Sequence, residues 1–395
     1  MVRHGKEQHL EGMRGIAAIV VLVFHCIGSF FPEIGVLAAF APHTGWKGTL
    51  IWGPVNGAHA VTFFFVLSGY VLARRPLVTG DRRALVDGAI KRWPRLAGPV
   101  LVAVLAVYLA SISGLDQKQA ISNVTGSDWI LRAGTADGLE PSLWRAFKEG
   151  AFLTFFRGDR SYIGALWTMR FEMIGSLVVF ALAAALIETR DSLAKSIFLL
   201  AVAAGIAHYA SPYVVPFVAG AAIALLKPID RDVPLGALGI AACLALAFYL
   251  SGYATHAEGP YAFIKRLGGH RIPETYYHMV SSVFLILAVE AWPAARKILS
   301  GRVGRFLGRI SFPIYLLHMM VISSAGAAVM VVFEQADPLV RGMTAIVVVT
   351  WISILVSLPL AAFNDMWVEW VNRSVRGGTK ADGTIAAGRE SMRSA

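Results

Sequence analysis

Few ionisable side chains interrupt the apolar stretches of this sequence, and those few are where chemistry would have to occur. Arg14, His25, Arg170, Glu172, His208, Glu290 and His318 stand within or at the ends of hydrophobic runs. A titratable group in hydrocarbon is expensive, so each is a candidate functional residue by default. Arg14 and His25 are eleven residues apart, about three helical turns, which puts both on one face and about 16 Å apart. With Arg14 at a membrane boundary, His25 lies near mid-membrane, where a neutral imidazole can take a proton from a hydroxyl or pass one on. The competing role is a structural histidine hydrogen-bonded between helices. Cys26 points about 100° away from His25, which argues against a Cys-His nucleophile pair.

Arg170 and Glu172 are two apart and do not face each other on a helix, so Glu172 is expected to find its partner on another helix. Helix rise puts Glu172 about 8 to 10 Å in from Trp167, approaching the depth of His25. A carboxylate there would orient His25 and stabilise its imidazolium, and a structural ion pair is the competing role. Arg92 and Arg95, three apart at the start of a helix, form an R-x-x-R pair suited to phosphates or anionic lipid, although topology signals also supply such residues. Tyr315 and His318 share a helical face, and His318 could equally be an interfacial hydrogen-bonder. The run Phe63-Phe64-Phe65-Val66-Leu67-Ser68-Gly69-Tyr70 reads as packing, with Gly69 permitting close backbone approach.

The elements that position these residues are membrane helices. The chain of 395 residues is 56% hydrophobic and only 15% charged, against about 25% charged in soluble domains. That balance excludes a soluble enzyme, a disulfide-rich secreted domain and a disordered chain. Cys26 and Cys243 lie in apolar segments and offer no disulfide framework or CxxC site. The net charge of +11 falls between apolar segments, with no nucleic-acid module in sight. About ten transmembrane helices are expected: Gly15 to Phe31, His59 to Ala73, Leu96 to Ile112, Ile163 to Ile187, Leu193 to Ala210, Tyr213 to Leu226, Pro234 to Ser251, Tyr277 to Trp292, Ile310 to Phe333 and Met343 to Phe363. The second and sixth are short for a bilayer about 30 Å thick.

The fold class is thus an all-α integral membrane bundle. Placing the arginine-rich loops inside leaves about 24 Lys and Arg on that side against about 11 outside, so both termini are expected to be cytoplasmic. The first apolar run lacks a small-residue cleavage site and reads as a retained helix. One transmembrane domain is expected over residues 1–371 and a polar, Gly-rich disordered tail over 372–395. Two outside loops, Ser113 to Tyr162 and Gly252 to Tyr276, are long enough to bind or cover a substrate, the first with aromatic patches around Trp129, Trp144 and Phe152.

Together these segments resemble the acyltransferase 3 family of multi-pass membrane O-acyltransferases. The matching stretches are Leu10-Glu11-Gly12-Met13-Arg14 followed by His25, Phe64-Phe65-Val66-Leu67-Ser68-Gly69-Tyr70, Arg92-x-x-Arg95 with Leu96 and Pro99, Leu166-Trp167-Thr168 with Glu172, and Ser311-Phe312-Pro313-Ile314-Tyr315-Leu316-Leu317-His318. They stand in the family's order between about Leu10 and Phe363. Glu11 replaces a frequent Asp, Arg170 occupies a position where the family does not usually carry a base, and Leu166-Trp167-Thr168 is closer to the branch with macrolide and fungal-type enzymes.

The resemblance implies transfer of an acyl group, commonly acetyl, from cytoplasmic acyl-CoA to a hydroxyl of a sugar, glycolipid, polysaccharide precursor or secondary metabolite. His25 would be general base or transient acyl carrier, Glu172 its orienting carboxylate, and Arg14, Arg92 and Arg95 would hold the donor. Acyl-CoA, the acceptor and membrane lipid are the expected partners, with no metal and no nucleic acid, in the cell membrane. The rival is a proton-coupled secondary transporter using His25, Arg170 and Glu172 as a relay. The lack of an internal repeat and the cytoplasmic arginines count against it.

Overall fold

The computed structural model describes residues 7–32, 49–189, 191–226, 233, 235–255, 259–267 and 271–393, with side chains as far as Val375 in the last helix. Every regular element among the described residues is helical. In chain order the principal helices are α1 (Gln8–Phe30), α2 (Gly57–Thr79), α3 (Arg82–Ile112), α4 (Lys118–Thr125), α5 (Trp129–Ala133), α6 (Trp167–Thr189), α7 (Leu193–Ala210), α8 (Val215–Leu226), α9 (Ala237–Ser251), α10 (Glu274–Ala291), α11 (Pro293–Leu299), α12 (Arg302–Val321) and α13 (Pro338–Arg393).

Seven helices among the described residues are long and apolar enough to cross a membrane, and an eighth arises if α10 and α11, bent by 98° at Trp292, count as one span. The remaining two of the ten expected spans are α8, with 12 residues, and α9, with 15. At 1.5 Å per residue α8 covers about 18 Å, well short of a hydrocarbon core about 30 Å thick. The second span, expected to be short, is a helix of 23 residues. It continues past Ala73 because Arg74 is not a loop charge: its side chain is buried, paired with Glu7 and 4.0 Å from Glu290. The tail expected over 372–395 falls almost wholly beyond the described side chains, although the backbone of α13 runs on to Arg393.

The most extensive helix pairing is that of α1 with α12. A Cβ built on Gly308 would stand 2.6 Å from the Glu11 carbonyl oxygen, and one built on Gly15 would stand 2.5 Å from Leu307. Only a hydrogen side chain allows the two backbones this approach, the usual device of helices that associate without a hydrophobic driving force. Gly69 does the same for α2 against α8, as expected from its place in the phenylalanine run: a Cβ there would stand 2.1 Å from the Phe217 carbonyl oxygen. The outer surfaces of α7 and α13 expose Phe198, Ile206, Val347, Trp351 and Leu355, the all-round apolar character of helices that face lipid.

Asn56 fixes the entry to α2. Its Oδ1 accepts from the N–H groups of Ala58 and His59, capping the helix, while Nδ2 donates to Ser251 O at 2.8 Å and ties α2 to α9. The segment after α3 docks on the end of α1: Ser127 Oγ donates to Gly28 O at 2.8 Å, and Thr125 Oγ1, bonded to Ile121 O at 2.8 Å, shares its proton with Ser29 O at 3.3 Å. These carbonyls belong to the last turn of α1 and have no partner within it. The docking brings α5 over the end of α1.

Candidate active site

His25 sits on α1 with Nδ1 2.7 Å from Val21 O. In the tautomer this contact requires, Nδ1–H donates to the carbonyl and Nε2 keeps its lone pair. Its ring lies 4.8 Å from that of His318 on α12, 5.2 Å from Phe24 and 5.1 Å from Trp129 of α5. His318 repeats the arrangement one helix away. Its Nδ1 is 3.0 Å from Ile314 O, and its Nε2 is fully buried with no hydrogen-bond partner among the described residues. Two imidazoles, each held by the carbonyl one turn earlier, therefore pack against one another beside a tryptophan supplied by the long outer loop.

From His318 the polar line continues along α12 to α6. Tyr315, 6.0 Å from His318 ring to ring, donates to Ala165 O at 2.5 Å and shares a 2.6 Å hydrogen bond with Thr168 Oγ1. Both hydroxyl-bearing side chains are buried. Ala165 lies in the short 3-10 turn Gly164–Leu166 that precedes α6, where a carbonyl is left for a side chain to satisfy. Beyond His318 the helix passes into a π-turn at Ile322–Gly326, and the Gln117 N–H of the outer loop donates to Ser323 O there at 2.8 Å.

Glu172 does not reach His25. Its carboxylate accepts from Ser68 Oγ of α2 at 2.8 Å and pairs with the Arg92 guanidinium of α3. The partner on another helix that its spacing requires is therefore Arg92, and the orienting bond expected between Glu172 and His25 is replaced by Val21 O. Helix rise places the two residues at one depth, but depth says nothing of which helices stand between them. Here α2 and α12 intervene, as the contacts Phe64–Tyr315 and Tyr315–Thr168 show.

Arg92 also departs from the expected surface position. The third helix begins at Arg82, ten residues before it, so Arg92 and Arg95 lie in its third turn and beyond rather than at its start. Arg95 remains exposed. Arg14 is half-buried, and its Nη1 donates to both carboxylate oxygens of Glu11 at 3.0 and 3.1 Å. Arg14, Arg92 and Arg95 are near enough to act electrostatically on one another, so the structure brings the three arginines together in one positive region that Glu11 and Glu172 partly neutralise.

The remaining intramembrane candidates take other places. Arg170 is exposed and donates to Arg157 O at 3.4 Å, and His208 bonds the Tyr276 hydroxyl at an exposed position. Glu290 is fully buried, accepting from Tyr70 OH at 3.1 Å and standing 3.1 Å from His9 Nε2. Donor atoms of Glu7, His9 and Glu290 lie within 4.8 Å of one another, the grouping of a cation site. The guanidinium of Arg74 already occupies the charge-balancing position among them.

The chain matches the model of a family described as an acyltransferase domain over residues 7–362. It is similar to the O-acetyltransferase PaAT-1 of Phomopsis amygdali, 21% identical over 411 residues that cover 91% of this chain and 82% of the relative. It is also similar to the acyltransferase clz18 of Cochliobolus lunatus, 27% identical over 187 residues that cover 42% of this chain and 40% of the relative. No solved structure matches it.

Proposed function

We propose that this chain, which belongs to the acyltransferase domain family, is a membrane O-acyltransferase that moves an acyl group, commonly acetyl, from acyl-CoA to a hydroxyl. The observation that carries the reading is the His25 and His318 pair: a half-buried ring and a fully buried one 4.8 Å apart, each with Nδ1 committed to a backbone carbonyl. Each Nε2 is then an acceptor, and the His318 Nε2 has no protein donor among the described residues. A buried acceptor left unmade costs about 1 to 3 kcal/mol, and a substrate hydroxyl is the group that would satisfy it.

In this reading the acceptor hydroxyl gives its proton to Nε2 of His25 as its oxygen attacks the thioester carbonyl carbon. A C–O bond forms, the C–S bond breaks, and the proton passes from the imidazolium to the leaving sulfur, so that the ester and free CoA thiol are the products. His318 Nε2, also an acceptor, takes a different donor of the bound substrates, and Trp129 closes the space against water. The exposed Arg95 and the half-buried Arg14 hold the donor phosphates. Glu172 serves this region through Arg92, which it anchors, and not through His25.

The donor comes from the cytoplasm in this proposal, with both termini on that side, α8 and α9 completing a bundle of ten membrane-inserted elements, and the protein resident in the cell membrane. The acceptor is a hydroxyl of a sugar, glycolipid, polysaccharide precursor or secondary metabolite, a range that the O-acetyltransferase name of the Phomopsis amygdali relative supports at the level of the bond formed. The test is thiol release from acetyl-CoA by the purified protein in lipid nanodiscs, with membrane extract as acceptor source. Acceptor-dependent CoA release that His25→Ala abolishes is the expected result. Absence of any release from several acyl-CoA chain lengths would overturn the reading.

A further inference from the structure

An apolar cavity lies on the face of α1 adjacent to the one that carries His25. It is a half-open cleft of about 510 Å³ between α1, α2, α9 and α10, within the usual range for small-molecule sites. Met13, Ala17 and Val20 line it, and Phe24 continues that same helical face while His25 projects about 100° from it. Neither His25 nor His318 is among the lining residues, and the Phe24 ring beside the reacting pair meets both His25 and Trp52. The cavity is thus separate from the acyl-transfer site, and its occupancy does not depend on that reading.

Its walls carry no charged side chain among the described residues, and only His59, Ser251 and Ser281 are polar. That lining excludes CoA phosphates, carboxylates and a polyhydroxylated sugar, each of which would leave several polar groups unpaired. Both serines are already used. Ser251 Oγ donates to Phe248 O at 2.8 Å and Ser281 Oγ to Ala247 O at 2.6 Å. Having spent its one proton on Ala247, Ser281 can only accept from His59, whose Nε2 lies 2.9 Å away. The Nε2 of His59 therefore carries the proton, and in the neutral ring Nδ1 is an acceptor with no partner among the described residues. This geometry also removes Ser281 as a nucleophile, because a base that donates to it cannot take its proton.

We propose that this cavity binds a lipophilic alcohol: an apolar body lying between α1 and α10, with one hydroxyl that donates to His59 Nδ1. The apolar walls specify the body and the single unpaired acceptor specifies the head. An alkane would leave His59 unpaired, and a fatty acid would bring a carboxylate into a site with no cation.

The experiment uses the full-length protein in phosphatidylcholine nanodiscs and a diazirine-bearing hexadecanol as photoprobe, with the labelled peptides located by mass spectrometry. Labelling is expected on α1, α9 and α10. Unlabelled hexadecanol should compete for it roughly two- to ten-fold better than hexadecane, the worth of one hydrogen bond. His59→Leu should erase that difference while keeping the label in place, and Leu244→Trp, which fills the cavity with His59 intact, should suppress labelling. If His59→Leu does not fold, Leu244→Trp and the two competitors decide alone. Label that falls elsewhere, survives Leu244→Trp, or is competed equally by alcohol and alkane overturns the proposal. No acyl donor is present in this assay, so its failure leaves the acyl-transfer reading untouched.

Discussion

The His25 and His318 rings meet at 62° with centroids 4.8 Å apart, although 293 positions separate them in the chain. Each is held by hydrogen bonding from Nδ1 to the carbonyl four residues earlier on its own helix, so both rings are oriented before any substrate arrives. Preorganisation of this kind is what a proton-transfer site requires.

Replacing His25 by Ala is expected to lower acyl transfer by about 100-fold or more, the typical worth of a general base. His318→Gln should lower turnover by about 10- to 100-fold with little change in acyl-CoA KM, as loss of a supporting group does. Residues acting as one unit are not additive. The variant lacking both imidazoles should therefore be no slower than His25→Ala alone, and steady-state kinetics of the three variants checks this. Full additivity would show that the two rings act separately.

Glu172 and Arg92 form a largely buried ion pair, each side chain 12% exposed. Removing one partner of such a pair leaves an uncompensated charge and costs about 3 to 5 kcal/mol, whereas replacing both by apolar residues is often neutral. Glu172→Gln is accordingly expected to lower the melting temperature, and Glu172→Leu with Arg92→Met to recover most of it. If Glu172→Gln instead melts like wild type while losing turnover, the carboxylate works on the chemistry directly. Thermal unfolding in detergent beside single-turnover transfer separates the two outcomes.

A methyl group at Gly308 would meet the Glu11 carbonyl oxygen at 2.6 Å, a backbone atom that cannot turn aside. Gly308→Ala should therefore push α12 from α1, destabilise the protein by about 1 to 3 kcal/mol as overpacking does, and lower turnover by separating His318 from His25. Gly205 of α7, where an added Cβ would meet nothing within 4 Å, is the control position. Melting temperature and kcat measured together check the coupling.

Properties set along a helix are legible in the sequence, and properties set between helices are not. His25, Glu172 and His318 stand out because an ionisable residue in an apolar run must be explained. Depth is legible too, since rise per residue is fixed. The partner of Glu172 is not, because Arg92 lies 80 residues away and only the packing of α2, α3 and α6 decides that they meet. The length of α2 is hidden for a related reason: Arg74 has the composition of a loop charge and becomes helical only because Glu7 and Glu290 converge on it. The signal that could have placed His318 opposite His25 is the pair Gly15 and Gly308, small residues that mark a close crossing of α1 and α12. Trp129 stands out as an aromatic in a long loop, but its place over His25 depends on the side-chain bonds of Ser127 and Thr125 to the end of α1.

The outer loop carries its own titration. Glu149, in the π-turn Glu149–Leu153 outside the membrane-spanning helices, is 1% exposed. Burial pushes its carboxyl above the usual carboxylate range, more than the Tyr162 N–H, the Ser161 hydroxyl and Arg145 pull it down, and Asp159 adds to the rise. The native state therefore holds a proton on Glu149 at pH values where the unfolded chain, titrating near about 4.3, has lost it. Stability rises with pH only where the unfolded state binds more protons, and here the native state binds more. The contribution of Glu149 is thus fully present below the unfolded pKa and is lost as pH rises through the folded one. Glu149→Gln keeps an oxygen to accept from the Tyr162 N–H, which bonds Oε1 at 2.9 Å, and removes the titration. Its melting temperature relative to wild type should climb as the pH is raised from about 4 towards 8. Parallel melting profiles for the two proteins across that window would show that Glu149 does not carry this dependence.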